Sequence, residues 1–105
     1  MPINDEPTSL AEANDEFRRS LGNSKLPGRV VVSSGVERLS SELKYKVFKG
    51  VTRFCEWETD NNHDIGSFDI DQLTFHWKID YFRCAECRHL DEWFRVLTIA
   101  LEEEI

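Results

Sequence analysis

Three side chains that can exchange protons or bind a cation fall at one end of a predicted β-hairpin. His63 and Asp64 precede its first strand, and Asp80 lies near the end of its second. In an antiparallel hairpin that turns at Asp71-Gln72, residues whose numbers sum to about 143 face each other, so His63 and Asp64 lie opposite Asp80 and Ile79. A carboxylate beside a histidine fixes the tautomer of the imidazole, an arrangement suited to acid–base catalysis or to binding a divalent cation.

A structural role for the same residues is the alternative. Asp64 can cap a turn, and Asp80 can pair with Lys78 or Arg95 at the end of the strand. Asp60, in the acidic stretch before the hairpin, adds a further carboxylate to the candidate binding residues. The sequence contains no nucleophile elbow, phosphate loop or metal-binding helix motif, which favours a protein that is not an enzyme.

Cysteine spacing gives a second, weaker candidate. Cys84 and Cys87 have the two-residue gap of a zinc knuckle, and His89 follows them. One such pair supplies two of the four ligands of a structural zinc ion, so closure requires Cys55 or His63 from elsewhere, or His89 from the same stretch. Ordinary reduced thiols are the default, since the three cysteines are an odd number and no export signal precedes them. No cofactor is predicted beyond this zinc or another divalent cation.

The hairpin that positions these residues is the organising element of the predicted fold. From Leu73 to Phe82 apolar residues alternate with polar ones, as in a central strand, and Ile65 to Asp71 form a shorter partner. The β-branched residues from Trp93 to Leu101 predict a terminal strand, and Arg29 to Ser33 predict a short strand buried on both faces. On the polar side of the central strand, Phe82 and His76 either lie under the first helix or mark an exposed patch.

Two helices complete the prediction. Ser9 caps a helix that ends at Gly22, and Ser40 caps another that runs to about Phe54. We therefore expect an α+β domain over residues 9–105, with about four mostly antiparallel strands, two helices packed on one face and a flexible tail at 1–8. The second helix carries a basic stripe that is either a solvated face or a docking face, formed by Lys46, Lys49 and Arg53.

Charge and hydropathy narrow the choice of partner. The chain has 105 residues and a formal net charge of −7, with nine bases against two acids in residues 18–53 and seven acids against Lys78 in residues 56–80. Such acidity disfavours direct binding of nucleic acids and favours a basic protein surface. No apolar run is long enough for a membrane span and no signal peptide is evident, so a cytoplasmic monomer or homodimer is expected.

Five ordered motifs resemble a bacterial family catalogued as domain of unknown function 3768. They run from about residue 10 to the C-terminal end and comprise Asn14-Asp15-Glu16-Phe17-Arg18, Gly28-Arg29-Val30-Val31-Val32 with Ser34-Gly35-Val36, His63-Asp64-Ile65-Gly66-Ser67-Phe68, Trp77-Lys78-Ile79-Asp80-Tyr81, and Arg95-Val96-Leu97-Thr98-Ile99. The resemblance implies a short bacterial protein of the kind met on plasmids, phages and other mobile elements, and it implies no activity. The chain departs from the family pattern before His63, where a further His and Glu are replaced by Thr59-Asp60-Asn61-Asn62, and in its cysteine-containing loop.

The sequence therefore predicts a small acidic binding protein of a mobile element. It would inhibit or modulate a host nucleic-acid-binding or defence complex by protein–protein contact. The alternative is a small metal-dependent hydrolase or nuclease that uses His63, Asp64 and Asp80.

Overall fold

A computed structural model describes residues 9–55, 62–82 and 93–105 of the chain. Within these ranges the predicted α+β class is confirmed, with four strands, mostly antiparallel, and helices on one face. In order, the elements are α1 Leu10–Arg19, β1 Gly28–Val32, α2 Ser34–Glu37, α3 Ser41–Thr52, β2 Ile65–Ile70, β3 Leu73–Phe82, β4 Phe94–Leu101 and a 3-10 helix Glu102–Glu104. The predicted flexible tail at 1–8 lies outside the described residues.

The hairpin has the predicted turn and register. Asp71 and Gln72 both adopt positive φ, 50° and 71°, as the tight turns that match the twist of a hairpin require. The residue numbers of facing pairs, such as Phe68 and Phe75, sum to 143. The hydroxyl of Thr74 donates to Asp69 Oδ1 at 2.6 Å, which joins the two strands beside the turn.

β4, the last strand in the chain, lies inside the sheet. The spatial order is β1-β4-β3-β2, in which β4 pairs antiparallel with β3 and parallel with β1. β1 is therefore an edge strand, and the prediction that it is buried on both faces is wrong. Arg29 is exposed and Val31 is 37% exposed, because a second layer covers only the face that carries Val30 and Val32.

Both long helices begin at the predicted caps. The Glu12 N–H donates to Ser9 Oγ at 3.1 Å, and the Leu43 N–H donates to Ser40 Oγ at 3.2 Å. α1 stops before Gly22, whose φ of +79° lets its N–H reach the carbonyl of Phe17 at 2.9 Å. A short helix, α2, follows β1 and is capped by Ser33.

The core lies between the helices and one face of the sheet. Most side chains of β3 and β4 that point toward the helices are almost fully buried, as the alternation predicts, and Trp77 is only 1% exposed. Burying a large apolar side chain contributes about 1.5–3 kcal/mol, so these residues dominate the stability of the domain. The cluster comprises Ala13, Phe17, Leu26, Val36, Val47, Val51, Phe75, Trp77, Ile79, Leu97, Ile99 and Leu101.

Candidate functional site

Asn14 lies at the centre of a buried polar network between α1 and the open end of the hairpin. Its side chain is fully buried, and its amide nitrogen donates to Tyr81 Oη at 2.6 Å and to the carbonyl of Asn62 at 2.9 Å. Its amide oxygen accepts from Arg95 Nε at 2.9 Å. One amide therefore joins the first helix, the approach to β2, the end of β3 and the start of β4.

Tyr81 extends the network to Asp64. Its hydroxyl donates to Asp64 Oδ2 at 2.9 Å, while its ring packs edge-to-face on Trp93, with centroids 6.0 Å apart. Burial raises the pKa of the Tyr81 hydroxyl well above its ordinary value, and the neighbouring Asp64 carboxylate adds to the rise. The hydroxyl therefore stays protonated and acts as a donor to Asp64.

A second branch of the network joins Asp15, Arg18 and His63. Arg18 Nη1 donates to Asp15 Oδ1 at 2.8 Å, and His63 Nδ1 lies 3.0 Å and 3.1 Å from the two Asp15 oxygens. His63 has a positive φ of 57° and precedes β2, so it does not follow the alternation of the strand. Its side chain therefore reaches α1, on the helix-covered side of the sheet.

Arg18 ties α1 to the C-terminal end of α3. Its side chain is fully buried; Nε donates to the carbonyl of Val51 at 3.0 Å and Nη2 to that of Phe54 at 3.1 Å. The last carbonyls of a helix lack partners within the helix, and Arg18 supplies one donor to the last turn of α3 and one to the residues that follow it. Burial lowers the pKa of Arg18 from its ordinary value, and Asp15 partly offsets this effect. The guanidinium also lies 5.2 Å from the centroid of the Trp77 ring.

Two of the three predicted catalytic candidates join the network and the third does not. His63 and Asp64 contact Asp15 and Tyr81 respectively, whereas Asp80 lies on the opposite face of the sheet. There its Oδ1 is 3.6 Å from Lys78 Nζ, which is the structural pairing that was the alternative to a catalytic role. The register placed all three at the correct end of the sheet, but the structure does not bring them together in one site.

The remaining predicted positions have mixed outcomes. Asp60, Cys84, Cys87 and His89 lie outside the described residues, and the described Cys55 is an exposed thiol. Within the described ranges, no group of three or more His, Cys, Asp or Glu side chains is arranged to hold a metal ion.

The basic stripe of α3 is partly neutralised by its neighbours. Lys46 Nζ lies 4.0 Å from Glu42 and 3.9 Å from Asp71, and Lys49 Nζ lies 5.0 Å above the ring of Tyr45. Arg53, at the C-terminal end of α3, is exposed. These contacts are typical of a solvated helix face.

Site residues that chemical reasoning from the sequence missed come from α1 and from the strand ends. Asn14 and Arg18 are one helical turn apart, next to the buried Ala13 and Phe17, and this polar pair beside an apolar stripe was a detectable signal. Arg95 follows the inward-pointing alternation of β4, which places a charged side chain at a core position. An inward charge is kept in a folded protein when it has partners, so this position predicts a network.

The fold and the network together define a small α+β domain whose helix layer is joined to its sheet by a buried polar network. The chain belongs to DUF3768, a family of proteins of unknown function, whose model matches residues 32–104. The matched region includes His63, Asp64, Tyr81 and Arg95, but it begins after α1 and so is shorter than the region that the five motifs predicted. No curated protein and no solved structure matched the chain. No helix in the described part of the chain is long and apolar enough to cross a membrane.

Proposed function

We propose that this protein is a non-enzymatic binding protein that recognises the basic surface of a partner protein. The observation that carries the proposal is the distribution of charge over the fold. The described residues contain twelve acidic and eleven basic residues, whereas residues 1–8, 56–61 and 83–92 together contain eight acidic and two basic ones. Most of the net charge of −7 therefore belongs to these three segments.

Burial of two arginines increases the negative charge that reaches solvent. Arg18 and Arg95 are both fully buried, at 0% relative accessibility, and are held by the polar network. Their positive charges are therefore not available on the surface to a polyanion. A surface with this excess of carboxylates attracts basic proteins and repels nucleic acid.

The two internal acidic segments are flanked by residues at one end of the sheet. Asn62 follows residues 56–61 and is bonded to Asn14, whereas Phe82 and Trp93, which flank residues 83–92, lie beside the paired ends of β3 and β4. The buried network thus lies beside the described residues that flank both segments. We infer that the partner protein binds at this end of the sheet.

The polar network itself supports a structural role more than a catalytic one. Asn14 and Arg18 use their donors on backbone carbonyls and on other members of the network. Asp80, which the metal-dependent hydrolase or nuclease requires, lies on the opposite face from His63 and Asp64. No observation on the described residues favours the hydrolase over the binding protein.

The most specific form of the proposal concerns mobile elements. The family resemblance implies proteins encoded on plasmids and phages, where a small acidic protein can occupy the basic surface of a host nucleic-acid-binding or defence complex and inhibit it. In this form the partner surface is one that normally binds nucleic acid.

Capture of a partner from bacterial lysate at modest salt tests the proposal. We expect a partner with a basic surface that is released at high salt, and that is lost from a triple variant carrying Glu56→Gln, Glu58→Gln and Asp60→Asn. A control that removes the same charge elsewhere, Glu37→Gln with Glu42→Gln and Asp71→Asn, should retain the partner. Capture of no protein, or equal capture by both triple variants, contradicts the proposal.

A further inference from the structure

In the described part of the chain, no helix or strand covers the face of the sheet opposite the helices, and this face carries exposed apolar side chains. All helical members of the core cluster pack on the other face, with the inward residues of β3 and β4. On the open face Phe82 is 58% exposed, Ile65 54% and Phe94 40%. Phe82 and Phe94 are direct cross-strand partners, so they form one raised aromatic pair at one end of β3 and β4. We call these two residues the aromatic knob.

A groove of about 380 Å³ lies toward the other end of the same face. Its floor includes His76, Thr98 and Ala100, and Ile65 and Ile105 form part of its sides. His76 and Phe82 are six positions apart along β3, which corresponds to about 20 Å of strand. The face therefore has a projection at one end and a depression at the other.

Lys78 lines the groove, and Asp80 lies on the same face between the groove and the knob. Their charged groups are 3.6 Å apart, and both side chains remain partly exposed, at 58% and 44%. Ile79 separates them in the chain and faces Leu97 on β4. The two opposite charges are thus placed symmetrically about the line from Ile79 to Leu97.

The shape and the charge of the face are both self-complementary about that line. A two-fold axis that runs across the strands at Ile79 and Leu97, between two sheets packed face to face, reverses the strand direction of the second copy. It places the aromatic knob of one copy over the groove of the other. It also places Lys78 of each copy opposite Asp80 of its mate.

We propose that a second copy of this chain docks on the open face of the sheet about this axis. A basic partner protein fits the acidic segments better than this face, whose central charges are balanced, and a polyanion finds no excess of positive charge there. Four strands about 4.8 Å apart and about 20 Å long give a face of about 400 Å² in projection. Burying two such faces removes on the order of 1,000 Å² from water, which is the lower end for specific interfaces, so the dimer dissociates on dilution.

Sedimentation equilibrium of the full chain over a wide concentration range tests this dimer. We expect a monomer at low and a dimer at high concentration. Lys78→Glu alone and Asp80→Lys alone should each weaken the dimer about tenfold or more, because each substitution juxtaposes like charges across the axis. Lys25→Glu, which makes the same charge change at an exposed loop position, should leave the dimer unchanged.

Mixing the two single variants shows whether the substitutions act across the interface or only within each subunit. A heterodimer of Lys78→Glu with Asp80→Lys has opposite charges at both crossings, so the mixture should associate more strongly than either variant alone. Phe82→Ser should weaken the dimer without lowering the melting temperature measured at concentrations where the chain is monomeric, because Phe82 is outside the core. A chain that stays monomeric at all concentrations, a dimer indifferent to these substitutions, or a mixture no stronger than its components would overturn the proposal.

Discussion

Arg95 and Asn14 are joined by a buried hydrogen bond of 2.9 Å although 81 positions separate them in the chain. Both side chains have 0% relative accessibility. This contact fastens the first helix to the last strand, and it gives the polar network a measurable effect on stability.

Replacing Asn14 with alanine should destabilise the domain. The substitution removes the acceptor of Arg95 Nε and a donor to both Tyr81 and the carbonyl of Asn62. Since a buried polar group that loses its partner costs about 1–3 kcal/mol, we expect a decrease of about 2–4 kcal/mol in the free energy of unfolding. Urea denaturation measures this difference, and Asn23→Ala, at an exposed position after α1, is the matched control. Equal stability of the two variants would contradict the structural role of the network.

Arg18→Lys tests whether the network needs the guanidinium or only a positive charge. Arg18 donates to Asp15, Val51 and Phe54 through three different nitrogens, a geometry that a lysine ammonium cannot reproduce. We expect a loss of about 2–4 kcal/mol in the free energy of unfolding, together with faster amide exchange at the end of α3. The neighbouring Arg19 is exposed, so Arg19→Lys should have no effect beyond a few tenths of a kcal/mol. A loss for Arg18→Lys as small as that for Arg19→Lys would show that a positive charge alone is sufficient at position 18.

Tyr81 should give the domain a characteristic dependence on alkaline pH. Burial raises the pKa of its hydroxyl above the ordinary value of 10.0. Its contribution to stability is therefore fully present below pH 10.0 and is lost as the pH rises toward the folded-state pKa, because the unfolded chain ionises first. Unfolding free energies measured on both sides of pH 10.0 should fall more steeply for the wild type than for Tyr81→Phe. Parallel curves for the two proteins would rule out this contribution.

Glu104 should give the opposite dependence, at acid pH. Its carboxylate accepts hydrogen bonds from the Ser33 hydroxyl, from the Leu101 N–H at 2.9 Å and from the Gly35 N–H at 2.9 Å. The hydrogen bond from Ser33 is the main reason that the pKa of Glu104 lies below its ordinary value of 4.5, and the two backbone bonds lower it further.

Protonation of Glu104 should therefore loosen the end of the sheet near α2. Its contribution is present above pH 4.5 and is lost as the pH falls through the lower folded-state pKa. The melting temperature of Glu104→Gln should be lower than that of the wild type at neutral pH, and the difference should shrink in acid. Glu103→Gln removes an exposed neighbouring charge and serves as control. A difference between Glu104→Gln and the wild type that stays constant with pH would contradict this effect.

Local sequence patterns predicted the hairpin and both long helices, because the signals for these elements come from residues close together in the chain. The alternation in β3, the turn at Asp71-Gln72 and the caps at Ser9 and Ser40 each depend on near neighbours. The burial of β1 was not predictable in this way. Its valine run is compatible with a central or an edge strand, and its pairing with β4 is set by a segment more than sixty positions away.

The candidate site was predictable only in part, for a related reason. The hairpin register placed His63, Asp64 and Asp80 at the same end of the sheet, but the positive φ of His63 decides which face its side chain reaches. Asn14 carries no motif for a contact with Arg95, since the sequence separation leaves no periodic signal. A polar residue on a buried helix stripe indicates that a partner exists without naming it.

The position of β4 has a consequence for how the chain reaches its folded state. β4 is synthesised after the other three strands of the sheet, yet it lies between β1 and β3. Until it inserts, the hairpin and β1 have no hydrogen-bonding partner in common, and both present unpaired edges that other chains can join. The nascent domain should therefore remain open on the ribosome until its last strand emerges, and then close slowly because its key contacts span most of the chain.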